Sequence, residues 1–261
     1  MKRIGLVTVV VGLIACVAWA ADVPSRNAVG VTKVEVPANK FLLAALPFND
    51  FGGSIQDVFD GQLTGADNPD ESDRIYLQSG VTYDIYWKVE GTGTGWDGKW
   101  LSEADGSHAT NVMLYPGEGF WIENKHGSAQ PVAFMGEVPN EGSATNWISA
   151  SGFTMLGYPY SAGDYLGSNT TFATSGGYGA DNPDEADRLY FYIPATGGYR
   201  IYWLVGGTGT EWDGKWLSEA DGTLADETFD LGEGAWYQRR AAAGAGFNWV
   251  ESRPYPAVNQ P

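Results

Sequence analysis

"YDIYWKV", residues 83–89, alternates along its length: Tyr83, Ile85, Trp87 and Val89 fall on one side of an extended chain, and Asp84, Tyr86 and Lys88 on the other. No apolar stripe at spacings of three and four competes with this pattern, so the stretch reads as a β-strand. "YRIYWLV" at 199–205 repeats it with Tyr199, Ile201, Trp203 and Val205. Around both copies, β-branched and aromatic residues alternate with glycine-rich turns at roughly the 8–12-residue spacing of all-β domains. The expected fold class is all-β, a sandwich or a barrel.

Outward from these strands the chain matches itself. "GADNPDESDRIY" (65–76) matches "GADNPDEADRLY" (179–190), "WDGKWLSEADG" stands unchanged at 96–106 and 212–222, and "PGEGFW" (116–121) faces "LGEGAW" (231–236). Farther upstream, "FLLAALPF" (41–48) faces "FTMLGYPY" (153–160). The motifs keep one order, which predicts two tandem homologous modules over 21–139 and 140–261. Their boundary falls within 137–146, "EVPNEGSATN", a polar stretch rich in turn residues. "NAVGVTKVEVP" and "NWISASGF" are expected to supply equivalent first strands.

Within the unchanged repeat, Asp97-Gly98 and Asp213-Gly214 are the pair that type I′ hairpin turns favour, and Asp105-Gly106 and Asp221-Gly222 would end the short strand that follows. Trp100 and Trp216 are expected core anchors, each burying on the order of 200 Å². Trp96 and Trp212 follow a Gly-Thr run beside the turn. Two roles stand open for them, a lid on the core or an exposed binding platform.

"DNPDE" also has two readings. Asn68 and Asn182 can N-cap a helical turn, with Pro69 and Pro183 at its first position and Glu71 and Glu185 as capping-box partners. Alternatively, Asp67, Asp70, Glu71 and Asp73, with Asp181, Asp184, Glu185 and Asp187, cluster carboxylates as calcium sites do, though not at EF-hand spacing.

Residues 1–20 read as an export signal peptide: Lys2 and Arg3, an apolar run to Val17, then the small-residue site Ala18-Trp19-Ala20. "LIAC" at 13–16 also fits a lipobox, in which Cys16 would carry a lipid anchor. The run is short of the ~20 apolar residues of a transmembrane span. Cys16 is the single cysteine, so a chain processed after Ala20 can hold no disulfide, thiolate metal site or cysteine nucleophile. A formal net charge of −17 disfavours nucleic acid and anionic membranes as partners. Aromatic residues at 14% against charged residues at 18% favour a packed core over disorder.

Catalytic signatures are sparse. The two histidines, His108 and His126, both lie in the first module, and no nucleophile elbow, zinc-helix motif, P-loop or dinucleotide fingerprint occurs. Glu103, Glu118, Glu219 and Glu233 are the carboxylates a glycosidase would need, but their spacing does not set them apart from surface acids. "PGEGFW" reads as a turn leading into a strand that closes the core with Phe120 or Trp121.

Taken in order, the "PF", "Y-x-I-Y-W", "PGEGFW" and "GEVP" elements resemble a tandem β-rich repeat module of uncharacterised secreted bacterial proteins. The resemblance implies an extracytoplasmic all-β module and brings no catalytic residues. The resulting expectation is a non-enzymatic, secreted or cell-surface structural or adhesion protein. The alternative is a glycan-binding module pair using Trp96, Trp212, Tyr86 and Tyr202, with calcium as its conceivable cofactor. Expected partners are an extracellular glycan or protein surface, or a second copy of the chain.

Overall fold

The computed structural model describes residues 28–50 and 52–257; residues 1–20, on which the export-signal expectation rests, and Cys16 lie outside them. The first half runs β1 (Val29–Val36), β2 (Phe41–Ala45), β3 (Asn49–Asp50), α1 (Ile55–Val58), β4 (Arg74–Ser79), β5 (Thr82–Lys88), β6 (Trp100–Ser102), β7 (Gly119–Glu123) and β8 (Gln130–Glu137). The second half runs β9 (Ser143–Ile148), β10 (Gly152–Gly157), β11 (Asp164–Tyr165), α2 (Thr171–Ser175), β12 (Arg188–Ile193), β13 (Gly198–Leu204), β14 (Trp216–Ser218), β15 (Thr228–Phe229), β16 (Gly234–Arg239) and β17 (Phe247–Ser252). The fold is all-β, and every strand pair in its sheets is antiparallel. No helix among the described residues is long and apolar enough to cross a membrane.

Two open five-stranded sheets dominate, ordered β2-β7-β4-β5-β6 and β10-β16-β12-β13-β14. Each faces a smaller layer, β1-β8-β3 in the first half and β9-β17 in the second. The main cores lie between these layers. In the first half, Ile75, Phe120 and Ile122 meet Val36, Val132 and Phe134; in the second, Leu189, Phe191 and Tyr237 meet Ile148, Phe247 and Trp249. Trp100 and Trp216 are fully buried as expected. Neither indole N–H finds an acceptor, so packing alone holds these rings.

The strand was legible in "YDIYWKV", but its inward face was not. Tyr86 packs on the first core and Tyr202 belongs to the second, whereas Trp203 and Val205 join Ala180 and Ala186 in a separate cluster. The face of Tyr86 and Tyr202, the rings named in the glycan-binding alternative, therefore carries the main core. The cause is burial on both sides of the sheet: alternation reports the strand period but cannot rank two covered faces. Lys88, on that core side, is accommodated by donating to the carbonyls of Gln62 (3.2 Å) and Leu63 (3.0 Å); Leu204 takes the same place in the second half.

The sheets meet edge to edge through reciprocal contacts. Ala45 N–H donates to Gly232 O (3.1 Å) and Gly157 N–H to Gly117 O (2.9 Å), while Ala44 bridges Glu233 and Leu156 bridges Glu118. Ala45 and Gly157 are repeat equivalents, as are Gly117 and Gly232, so each half gives the other the same contact. This is the logic of an isologous dimer interface within one chain. Two glycines permit it: a Cβ on Gly119 would lie 2.8 Å from Leu156 N, and one on Gly234 would lie 2.7 Å from Ala44 O. "PGEGFW" therefore does more than close a core. Its glycine admits the opposite half, and its Trp121 joins Leu43 and Met155 in a shared apolar cluster.

Candidate functional site

The unchanged eleven residues can be followed atom by atom. Gly98 takes φ +81°, but Asp97 does not enter the left-handed region, so the expected type I′ turn is absent. Residues 90–97 instead form a wider loop, closed where Gly98 N–H donates to Val89 O and Val89 N–H donates to Lys99 O, both at 2.8 Å. The Asp97 carboxylate organises this loop by accepting from Thr92 N–H (2.9 Å), Thr92 Oγ1 (2.5 Å) and Gly93 N–H (3.0 Å). Those donors, the Thr92 hydroxyl first, hold its pKa below the ordinary carboxylate value. Asp213 does the same with Thr208 and Gly209.

The loops are thus tied down from within, yet each leaves a tryptophan outside. Trp96 is 51% exposed and Trp212 40%. His108 meets the Trp96 ring edge-on at 6.4 Å, and Lys215 Nζ lies 5.5 Å from the Trp212 ring. Of the two roles open to this pair, the structure places them at the surface rather than as lids. The other candidate rings differ, since Tyr202 is only 4% exposed and its hydroxyl donates to Glu227, while Tyr86 is half-buried on the core.

The carboxylates of the "DNPDE" stretches diverge. Asn68 Oδ1 accepts from the N–H groups of Asp70 (3.1 Å) and Glu71 (3.2 Å), and Asn182 caps Asp184 and Glu185 alike, as the capping reading expects, although a turn forms there rather than a helix. Asp70 then pairs with Arg74 (3.0 Å) and Asp184 with Arg188 (3.1 Å). The same arginines reach Glu103 (3.3 Å) and Glu219 (3.0 Å), fastening the turn to the unchanged repeat. Asp73 and Asp187 point the other way and are fully buried. Asp73 accepts from Thr64 N–H, Lys125 N–H and Gln130 Nε2; Asp187 accepts from Tyr178 N–H, Arg240 N–H, Tyr237 Oη and Arg239 Nη1. With Asp67, Asp70 and Glu71 exposed and Asp73 buried, the four carboxylates of the calcium reading do not converge; Asp181, Asp184, Glu185 and Asp187 divide alike. Among the described residues, no group of three or more His, Cys, Asp or Glu is arranged to hold a metal ion.

Two clefts open where the halves meet. One, of about 550 Å³, lies between the β4–β5 hairpin and the β9–β10 connection, with Tyr83, Trp147, Phe153 and Trp236 on its walls. The other, of about 540 Å³, shares Gln78, Trp147 and Thr154 with it and carries Glu118. Of these residues the sequence singled out Glu118, but not Gln78, Trp147 or Thr154. The signal was a mismatch in the repeat alignment, where Trp147 stands opposite Glu35 and Gln78 opposite Tyr192.

Glu233 sits at the seam between the halves. Burial first, then the neighbouring Glu227, push its carboxyl up to about 7, an effect that Arg200 at 3.6 Å only partly offsets. The folded chain therefore holds this proton more tightly than the unfolded chain between the ordinary value of 4.5 and about 7. Stability from this group is present in full below the lower value and is lost as pH rises through the upper one. Urea midpoints measured from pH 5 to 8 should fall, and Glu233→Gln should flatten that slope by about 1–2 kcal/mol. An unchanged slope in the variant would refute this role.

Compared with family models, curated proteins and solved structures, the chain matches none of them.

Proposed function

We propose that this chain is an exported, non-catalytic adhesion protein that docks to an extracellular surface through its two tryptophan-bearing loops. One observation carries the reading: in an eleven-residue stretch kept unchanged in two places, the fold uses the aspartates, the buried tryptophan and the glutamate but leaves Trp96 and Trp212 at the surface. Large rings on loops already fastened by Asp97 and Asp213 bind with little ordering cost. Two such loops on one chain also gain avidity from simultaneous contact, by as much as ~10²–10⁴ where the geometry fits.

The non-catalytic part has its own support. Glu103 and Glu219 are engaged by arginines, His108 bonds to Gln56 at 3.1 Å, and His126 lies 3.7 Å from Asp73, so these groups serve structural contacts.

The test combines iodide quenching with sedimentation on cell-wall material. A quenchable, red-shifted emission component should shrink in Trp96→Phe plus Trp212→Phe to the share that belongs to the exposed Trp147. Each single Trp→Ala change should weaken retention about tenfold or more, and the double change should abolish it. Full retention by a folded double variant would overturn the proposal, as would hydrolysis of the retained polymer.

A further inference from the structure

The two halves are related by reciprocal contacts, yet the two equivalent seams differ: a cleft opens at one, and Tyr192 packs on Trp121 at the other. We propose that the open one, between the β4–β5 hairpin and the β9–β10 connection, is a binding site for a neutral saccharide. This goes beyond the tryptophan loops, none of whose residues line it.

The asymmetry traces to a few side chains. Each half presents the same aromatic set: Phe41 with Tyr76 and Trp121, and Phe153 with Tyr190 and Trp236, at centroid distances of 5.6–6.0 Å. On the closed side, Tyr192 packs edge-on against Trp121 at 4.8 Å and leaves it 8% exposed. Lys40 Nζ donates to Ala195 O there at 2.5 Å, tying the β12–β13 hairpin to the segment before β2. On the open side, the position of Tyr192 is occupied by Gln78, which has no ring to pack on Trp236. Its amide is spent on backbone: Nε2 donates to Phe153 O (2.6 Å) and Gly80 O (3.1 Å), and Oε1 accepts from Met155 N–H (2.7 Å). Gln78 therefore pins the hairpin to β10 without filling the space in front of Trp236. Trp147, in the place held by Glu35 on the closed side, adds a ring that is 61% exposed.

The lining selects the ligand. Tyr83, Trp147, Phe153 and Trp236 offer apolar ring surface, while Ser149 and Thr154, whose hydroxyls bond to each other at 3.0 Å, stand among them with acceptor lone pairs to spare. No Lys, Arg, Asp or Glu lines this cleft among the described residues, so a charged ligand would enter without a counter-ion, and the overall charge of −17 further opposes an anion. A sugar fits on each count: it is uncharged, its C–H faces lie against rings, and its hydroxyls exchange hydrogen bonds with Ser and Thr. A volume of about 550 Å³ lies in the ~300–1,000 Å³ range of small-ligand clefts.

The experiment titrates the full chain with soluble neutral oligosaccharides of several linkages, beside a charged uronic-acid oligomer and a proline-rich peptide, following tryptophan emission and heat. A neutral oligosaccharide should bind, with Trp147→Ala weakening it about tenfold or more. Because Trp147 is exposed, its loss should leave the melting temperature in place. Gln78→Tyr, which rebuilds the closed side, should abolish binding. Absence of saccharide binding at millimolar concentration, tighter binding of the uronic-acid oligomer or the peptide, or unchanged affinity in a folded Trp147→Ala protein would each overturn the assignment.

Discussion

Asp187→Ala should cost about 3–5 kcal/mol of folding stability, lowering the melting temperature by roughly 10 °C or more. The side chain is fully buried and is the meeting point of four donors from two parts of the chain: Tyr178 N–H, and Arg240 N–H, the Tyr237 hydroxyl and the Arg239 guanidinium, all within 2.8 Å. Removing it leaves a guanidinium that is 5% exposed without its counter-charge, and two backbone donors without their acceptor. Leaving such groups unpaired costs more than the lost bonds were worth. Asp73→Ala should cost less, because Asp73 has backbone and amide donors but no guanidinium beside it, His126 lying 3.7 Å away. Urea and thermal unfolding of both variants test the ranking. An Asp187→Ala protein as stable as the parent would show that the buried ion pair contributes nothing.

The second large effect concerns the seam. Gly119→Val and Gly234→Val should each destabilise the chain by about 1–3 kcal/mol, and together they should force the halves apart. Neither glycine is needed for its own backbone angle, since neither lies at positive φ. What excludes a side chain is the backbone of the opposite half, Leu156 in one case and Ala44 in the other, against which a Cβ would sit at 2.8 and 2.7 Å. Separation would expose the cluster of Leu43, Trp121 and Met155, so the double variant should show a new quenchable tryptophan and a broadened or split unfolding transition. Gly95→Ala, where a Cβ meets nothing within 4 Å, is the matched control and should be near neutral. A single sharp transition at the parental midpoint in the double variant would refute the seam as a cooperative unit.

The sequence by itself determined the all-β class, because the period of two in 83–89 and 199–205 is a local property of an extended chain. It also determined the capping by Asn68 and Asn182, which depends on neighbours a few residues away, and marked Trp100 and Trp216 as core rings, although the rings they pack on, Phe59 and Phe172, lie far off in the chain. Tertiary structure decided the rest, through partners far apart in the chain. Which face of β5 and β13 is the core depended on which layer packs there, so Tyr202 became a core residue. Asp187 left the acidic cluster it resembles because Arg239, 52 residues on, lies beneath it. Gly119 reads in the sequence as a point of close backbone approach, but which backbone comes against it, and against Gly234, is decided only by the opposite half. The cleft is the clearest case: Gln78 opposite Tyr192 is visible as one mismatch between two repeats, but whether that mismatch leaves a space is fixed only by the edge-to-edge meeting of the two sheets.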